Sequence, residues 1–207
     1  MTKSIERVLV IDWETTGLRN WRDPSPAYYK GPQGIQLGAA IVEPENDWKT
    51  IGEFKSNVKW LGVDWPALTW AETAYNVHKI SMEELIKAPH PFEVTSLFVE
   101  FLKEHVDIDK SIRLAGHGVD FDKYFLIQLF YLAGSLQDIP IHFNHRELDT
   151  RTIGQFLWGT SSSDILYHRV LGVENREVHD ALEDVQLTIE LFKAAKLKID
   201  TIAEPTE

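Results

Sequence analysis

Residues 7–18 read RVLVIDWETTGL. Arg7 to Ile11 is a short β-branched run, the pattern of a nearly buried strand, and Thr15 to Gly17 close it with a polar turn. Side chains of a strand alternate between faces, so Asp12 and Glu14 leave the same face. A carboxylate pair at the end of an apolar strand presents oxygen ligands to a cleft. Taken alone, the same pair also reads as a strand end reaching solvent. The backbone N–H groups of the following turn, Thr15 to Gly17, suit a phosphate or a sugar hydroxyl.

Working outward, 35–42 is a second strand, Pro44 to Asp47 a turn and 50–58 a third strand, which together make a meander. The stretch 18–34 is rich in Pro, Gly, Asp, Asn and aromatics and reads as a long ordered loop. Its Trp21, Arg22, Tyr28, Tyr29 and Lys30 suit single-strand stacking and phosphate contact, or equally the packing of the loop's own aromatics on the body. The chain then turns helical. Pro66 opens a helix to about Asn76. Ser81 with Glu84 is a capping box for a short helix. Val94, Leu97, Phe98, Phe101 and Leu102 form the apolar stripe of a helix over 91–104. A strand at 112–115 leads to a helix over 121–132 capped by Asp120, and an edge strand lies near 145–148. Helices follow over 149–158, 164–171 and 180–198, the last with a capping box from Asp180 and Glu183. The polar tail 199–207 is expected to fray. This order predicts a mixed α/β domain with a mixed central sheet of about five strands flanked by helices. One domain is expected across 1–207, with its core from 5 to 198.

The chain has 207 residues, 43% hydrophobic and 26% charged, ordinary for a globular protein. It has no cysteine, which excludes disulfides, thiol catalysis and thiolate metal sites. No run is long and apolar enough for a membrane helix. The apolar run after Lys3 and Arg7 ends at Asp12, which argues against a secretory signal, so a cytoplasmic protein is the expectation by elimination. The net charge of -11 disfavours nucleic-acid binding by long-range electrostatics. Cations bound to some of these carboxylates would reverse that field locally.

Two more signals carry chemistry. After Gly116-His117-Gly118, Asp120 is explained as a cap, whereas Asp122 is left over, at the mouth of a buried helix just past a strand. Acidic residues in a first turn also suit the helix dipole, which is the alternative reading of Asp122. In HDALED, residues 179–184, Asp180 and Glu183 serve the capping box and no structural duty for Asp184 is legible. His179 sits on the entering loop, where a lone histidine is commonly just exposed. Together the set says more. Asp12, Glu14, Asp122 and Asp184 come from three distant segments, and bare like charges in one pocket raise each other's pKa and cost stability. Hard oxygen ligands imply Mg²⁺ or Mn²⁺ rather than zinc. Two such ions can activate a water, hold a scissile phosphate and stabilise the departing oxygen. An imidazole is the natural base for that water.

Three stretches resemble the DnaQ-like, or DEDDh, exonuclease family of the ribonuclease-H-like superfamily: VIDWETTGL (10–18), GHGVDFDKYFL (116–126) and HDALEDV (179–185). AETAYNVHKISMEEL (71–85) and LDTRTIGQF (148–156) are similar to the family's intervening segments, and the likeness runs in order from about 5 to 198. The resemblance implies a ribonuclease-H-like fold and metal-dependent 3'-to-5' exonuclease activity. Asp12, Glu14, Asp122 and Asp184 would bind two divalent ions, and His179 would take the proton from the attacking water. The product would be a nucleoside 5'-monophosphate cut from a single-stranded 3' end. The backbone at Thr15 and Thr16, with Leu18, would touch the terminal nucleotide, with Phe121 as an aromatic wall or a buried anchor. DNA is the expected substrate and RNA the alternative, because these motifs address phosphate and metal. A polymerase or replication partner and a homodimer are both compatible with the family. Gly118 departs from the family, where many relatives carry Asn, which removes a polar contact near the end nucleotide. A non-catalytic nucleic-acid-binding module is the reading from another class, and the intact set of five residues argues against it.

Overall fold

The computed structural model describes residues 6–19, 28–108, 110–134, 142–174 and 176–203. Its main sheet has five strands in the order β4-β3-β1-β6-β7. They are β1 (Val8–Thr15), β3 (Gly34–Glu43), β4 (Lys49–Asn57), β6 (Arg113–Gly116) and β7 (Leu148–Asp149). β1 pairs antiparallel with β3 and β3 with β4, which is the expected meander. β6 and β7 add in parallel beside β1. The sheet is therefore mixed, and α-helices cover both faces, as the ribonuclease-H-like architecture requires.

Strand alternation sorts the core. Leu9, Ile11 and Trp13 face one side, against α3 (Pro91–His105) and α4 (Val119–Leu132). Val8 and Val10 face the other, against Val185, Ile189 and Phe192 of α7 (Ala181–Ala203). Asp12 and Glu14 continue the Val8–Val10 face, so β1 aims both carboxylates toward the start of α7. A β-bulge between Glu14 and Thr15 ends the regular pairing there.

Several elements differ from expectation. The helix expected over 66–76 is instead β5 (Leu68–Thr69) followed by α1 (Glu72–His78). Leu68 pairs with Gly31 of β2 (Gly31–Pro32), and the Thr16 hydroxyl donates to the Thr69 carbonyl at 2.6 Å. Ala71 N–H donates to the Thr16 carbonyl at 2.7 Å, so tertiary bonds hold 68–71 extended despite Pro66. Asp120 does not cap α4. Gly118 takes that place with φ at 81°, and Asp120 lies in the first turn, where its charge suits the helix dipole. Asp149 caps α5 (Thr150–Trp158), which lies where the helix over 149–158 was expected, and also accepts from Gly118 N–H at 2.9 Å. α2 (Met82–Lys87) carries the expected capping box, and α6 (Ser163–Leu171) opens on Ser162. α7 continues past the expected end at 198, to Ala203.

In the loop after β1, Tyr28 packs on Tyr124 and Tyr131 of α4 with ring centroids 5.0 and 6.1 Å away. Gln128 of α4 clamps the same segment, donating to Pro32 O at 2.9 Å and accepting from Gly34 N–H at 3.0 Å. Trp21 and Arg22 lie outside the described residues. Among the described residues no helix is long and apolar enough to cross a membrane.

Candidate active site

The carboxyl ends of β1 and β6 and the first turns of α4 and α7 meet at one cleft of about 310 Å³. Asp12, Glu14, Asp122, His179 and Asp184 all line it. Leu18 and Phe121 line it too, and Leu18 is 86% exposed at the lip. Thr15 and Thr16 are placed differently. Both are buried, and the Thr15 hydroxyl donates to the Gly17 carbonyl at 2.9 Å. Thr16 gives its N–H to Gln33 O and its hydroxyl to Thr69 O, and its carbonyl accepts from Ala71. Its polar groups therefore hold the loop.

The first turn of α7 is docked by contacts that leave no trace in the motif. Gly38 lies opposite Asp12 in the β1–β3 register, and a Cβ there would overlap the Ala181 backbone and sit 2.6 Å from Leu182 N. Gln36, opposite Glu14, accepts from Ala181 N–H at 3.0 Å. Asp180 accepts from Leu182 N–H at 3.1 Å and also pairs with Lys55 of β4. His179 is fixed by its own N–H to Val77 O at 3.1 Å.

The electrostatics are those of crowded, buried acids. Burial raises the pKa of Asp12 well above the usual carboxylate range, and Asp122, Asp184 and Glu14 push it further. Burial, then Asp184, lifts Glu14 from 4.5 to about 7. Asp122 is raised mainly by burial, against a hydrogen bond from the Trp13 backbone. His179 Nδ1 lies 3.5 Å from Asp184 Oδ2, and that hydrogen bond raises the histidine's pKa. Ligand atoms of Glu14, His179 and Asp184 come within 4.8 Å of one another, close enough to share one ion. The donor set is oxygen-rich and crowds several carboxylates together, so these residues fit a divalent cation.

Some residues of the site had no signal in the sequence. Arg176 donates to Asp184 Oδ1 through Nη1, and its guanidinium lies over the Tyr167 ring at 5.1 Å. His117 Nε2 donates to Ser161 O at 3.0 Å, and Nδ1 lies 3.0 Å from Thr150 Oγ1. Burial lowers the His117 pKa, and the ring ties the segment between α5 and α6 to the end of β6.

The fold and site have known counterparts. The chain aligns over 95% of its length with the nuclease domain of 3'hExo, a DEDDh family member, bound to rAMP, with TM-score 0.66, 14% identity and 94% of that domain covered. It aligns over 95% with the zinc-bound E. coli ExoI–ssDNA complex at TM-score 0.68 and 16% identity, covering 42% of that chain. S. pombe Pop2p in its Mg²⁺- and Mn²⁺-bound form matches 90% of the chain at TM-score 0.57 and 15% identity, with 81% of Pop2p covered. No curated protein matched the sequence significantly. The family described as RNase_T, exonuclease, matches residues 9–192. With its three acidic motifs meeting in one cleft, the chain belongs to this exonuclease family.

Proposed function

We propose that the protein removes nucleotides one at a time from the 3' end of single-stranded DNA, releasing nucleoside 5'-monophosphates. The observation that carries this reading is the meeting of Asp12, Glu14, Asp122, Asp184 and His179 in one cleft that has exposed Leu18 at its lip and Phe121 in its wall. An apolar lip and an aromatic face suit an unstacked terminal base, which a single strand offers. Asp12, Glu14, Asp122 and Asp184 would hold two Mg²⁺ or Mn²⁺ ions. These would supply positive charge to the scissile phosphate and the departing 3' oxygen. His179 accepts the proton of the attacking water, and Asp184 orients its ring. Contact of Thr15 and Thr16 with the terminal nucleotide runs through the loop they hold rather than through their hydroxyls.

The likeness to the E. coli ExoI–ssDNA complex and to the rAMP-bound 3'hExo domain supports a single strand or a nucleotide as the ligand. The second reading is an exoribonuclease. It is favoured by the 3'hExo likeness, which spans nearly the whole of both chains. A polymerase or replication partner and self-association go with the first and second readings respectively. The test is cleavage of 3'- and 5'-labelled DNA and RNA of matched sequence, single-stranded and duplex, in Mg²⁺ or Mn²⁺ and again in EDTA. The 3' label should leave first as a mononucleotide, DNA should be cut faster than RNA, and EDTA should abolish both. Faster RNA cleavage decides for the second reading. Loss of the 5' label first would overturn both.

A further inference from the structure

We propose that Arg176 is a built-in counter-ion that competes with divalent metal for Asp184 and so sets the affinity of the metal site. Arg176 lies outside the three motifs at 10–18, 116–126 and 179–185. Its side chain is only 12% exposed, and three groups hold it. Nη1 donates to Asp184 Oδ1. Nη2 lies 3.5 Å from Asp164 Oδ1. The guanidinium lies over the Tyr167 ring at 5.1 Å. Tyr167 itself is fixed by a 3.1 Å hydrogen bond between its hydroxyl and Thr188 of α7. The cation is therefore held in place from outside the carboxylate cluster, with its charge delivered to one oxygen of Asp184. The other oxygen faces His179.

A guanidinium and a divalent ion on one carboxylate repel each other, and in a buried site that repulsion is poorly screened. Each also relieves the same crowding among Asp12, Glu14, Asp122 and Asp184. Their stabilising effects therefore overlap, and linkage requires the overlap to appear in metal affinity. Without Arg176 the cluster depends more on metal, and metal binds it more tightly.

The inference rests on the assignment of a divalent ion to this cluster, so the wild-type Mn²⁺ isotherm is measured first. No Mn²⁺ binding by wild type would sink that assignment rather than this proposal. Arg176→Gln keeps a hydrogen-bond donor for Asp184 and removes the charge, whereas Arg176→Lys keeps the charge. R176Q should bind Mn²⁺ about tenfold more tightly than wild type by calorimetry, and R176K should bind close to wild type. In EDTA, R176Q should melt several degrees below wild type, and saturating Mn²⁺ should close most of that gap. If R176Q is unfolded in EDTA, it should fold when Mn²⁺ is added. A melting deficit of equal size with and without Mn²⁺, or an unchanged or weaker Mn²⁺ affinity, would show that Arg176 is only structural and overturn the proposal. So would an R176Q that stays unfolded in Mn²⁺ while R176K folds.

Discussion

Asp12 and Asp184 both line the cleft, yet their neighbours differ in sign. Asp12 meets mainly burial and three other acids. Asp184 accepts from Arg176 and faces His179. From sequence, neither acid had a structural duty, and both alanine variants would be expected to keep or gain stability in EDTA. The ion pair with Arg176 separates them. Asp12→Ala should melt at or above wild type in EDTA, because it removes a repelled charge. Asp184→Ala strands a largely buried guanidinium and should lose about 3 kcal/mol in chemical denaturation, since leaving one partner of a buried pair is costly. Both should be inactive. Equal stability of the two variants would mean that Arg176 is satisfied elsewhere. His179 gives a second residue-scale prediction. His179→Ala should slow single-turnover cleavage by about 10²–10⁴-fold with Mn²⁺ affinity within a few-fold of wild type, as for loss of a general base. The hydrogen bond to Asp184 raises the His179 pKa above its ordinary value, and the wild-type rate profile should show an ascending limb that H179A loses, because only the neutral ring accepts a proton. A wild-type rate with an unchanged profile in H179A would remove His179 from the base role, and lost metal binding would make it a ligand. The five chemistry-bearing residues were legible because oxygen and imidazole donors recurred at set places in three motifs. Arg176, His117 and Tyr167 were not, because each acts through a contact with a residue distant in sequence or across a loop, and no local spacing encodes that.

At the scale of elements, the site depends on how closely α7 approaches the sheet. β3 allows this with no side chain at Gly38, directly behind Ala181 and beside Asp12 in register. Gly38→Ala would force the start of α7 away from β1 and β3. Overpacking of this kind costs about 1–3 kcal/mol. The larger expected effect is on function, because His179 and Asp184 ride on the displaced turn while Asp12 and Glu14 stay on β1. G38A should therefore lose far more activity and Mn²⁺ affinity than its drop in melting temperature would suggest. A variant destabilised by that amount with wild-type Mn²⁺ affinity would show that the close approach serves packing alone. The meander, the helix stripes and the Ser81–Glu84 capping box could be read in advance from periodicity and local capping. The segment 66–76 could not. Pro66 and the residues after it have helical character, but Gly31 and Thr16 draw Leu68, Thr69 and Ala71 into extended pairing. The start of α4 was misplaced by one cap because a left-handed glycine, rather than an Asp side chain, begins it. Gly38 looked like an ordinary strand residue, since what it avoids is backbone 143 positions later in the chain, at Ala181.

At the scale of the molecule, a net charge of -11 gathers part of its acidity in one buried cluster, and that cluster should make stability depend on pH and metal together. Glu14 is raised from 4.5 to about 7, mainly by burial and then by Asp184. The folded state therefore holds this proton more firmly than the unfolded chain. Its stabilising effect is fully present below about pH 4.5 and is lost as pH rises through about 7. Asp12 and Asp122, also raised chiefly by burial, act in the same direction. His78 acts oppositely. Burial lowers it from 6.5 to about 4, so its neutral form favours folding as pH rises across that range. A bare pH profile would mix the two effects, but Glu14→Gln isolates the first. In EDTA, E14Q should melt close to wild type near pH 5 and increasingly above it as pH passes 7, because the glutamine has no proton to lose. In saturating Mn²⁺ the order should reverse at high pH, since metal needs the ionised carboxylate that E14Q lacks. Melting curves of both proteins at pH 5, 6, 7 and 8, with EDTA and with Mn²⁺, supply the comparison. If wild type gains on E14Q in EDTA as pH rises, Glu14 is stabilised as an anion by the protein itself. The picture of a cluster that waits for an external cation would then fail.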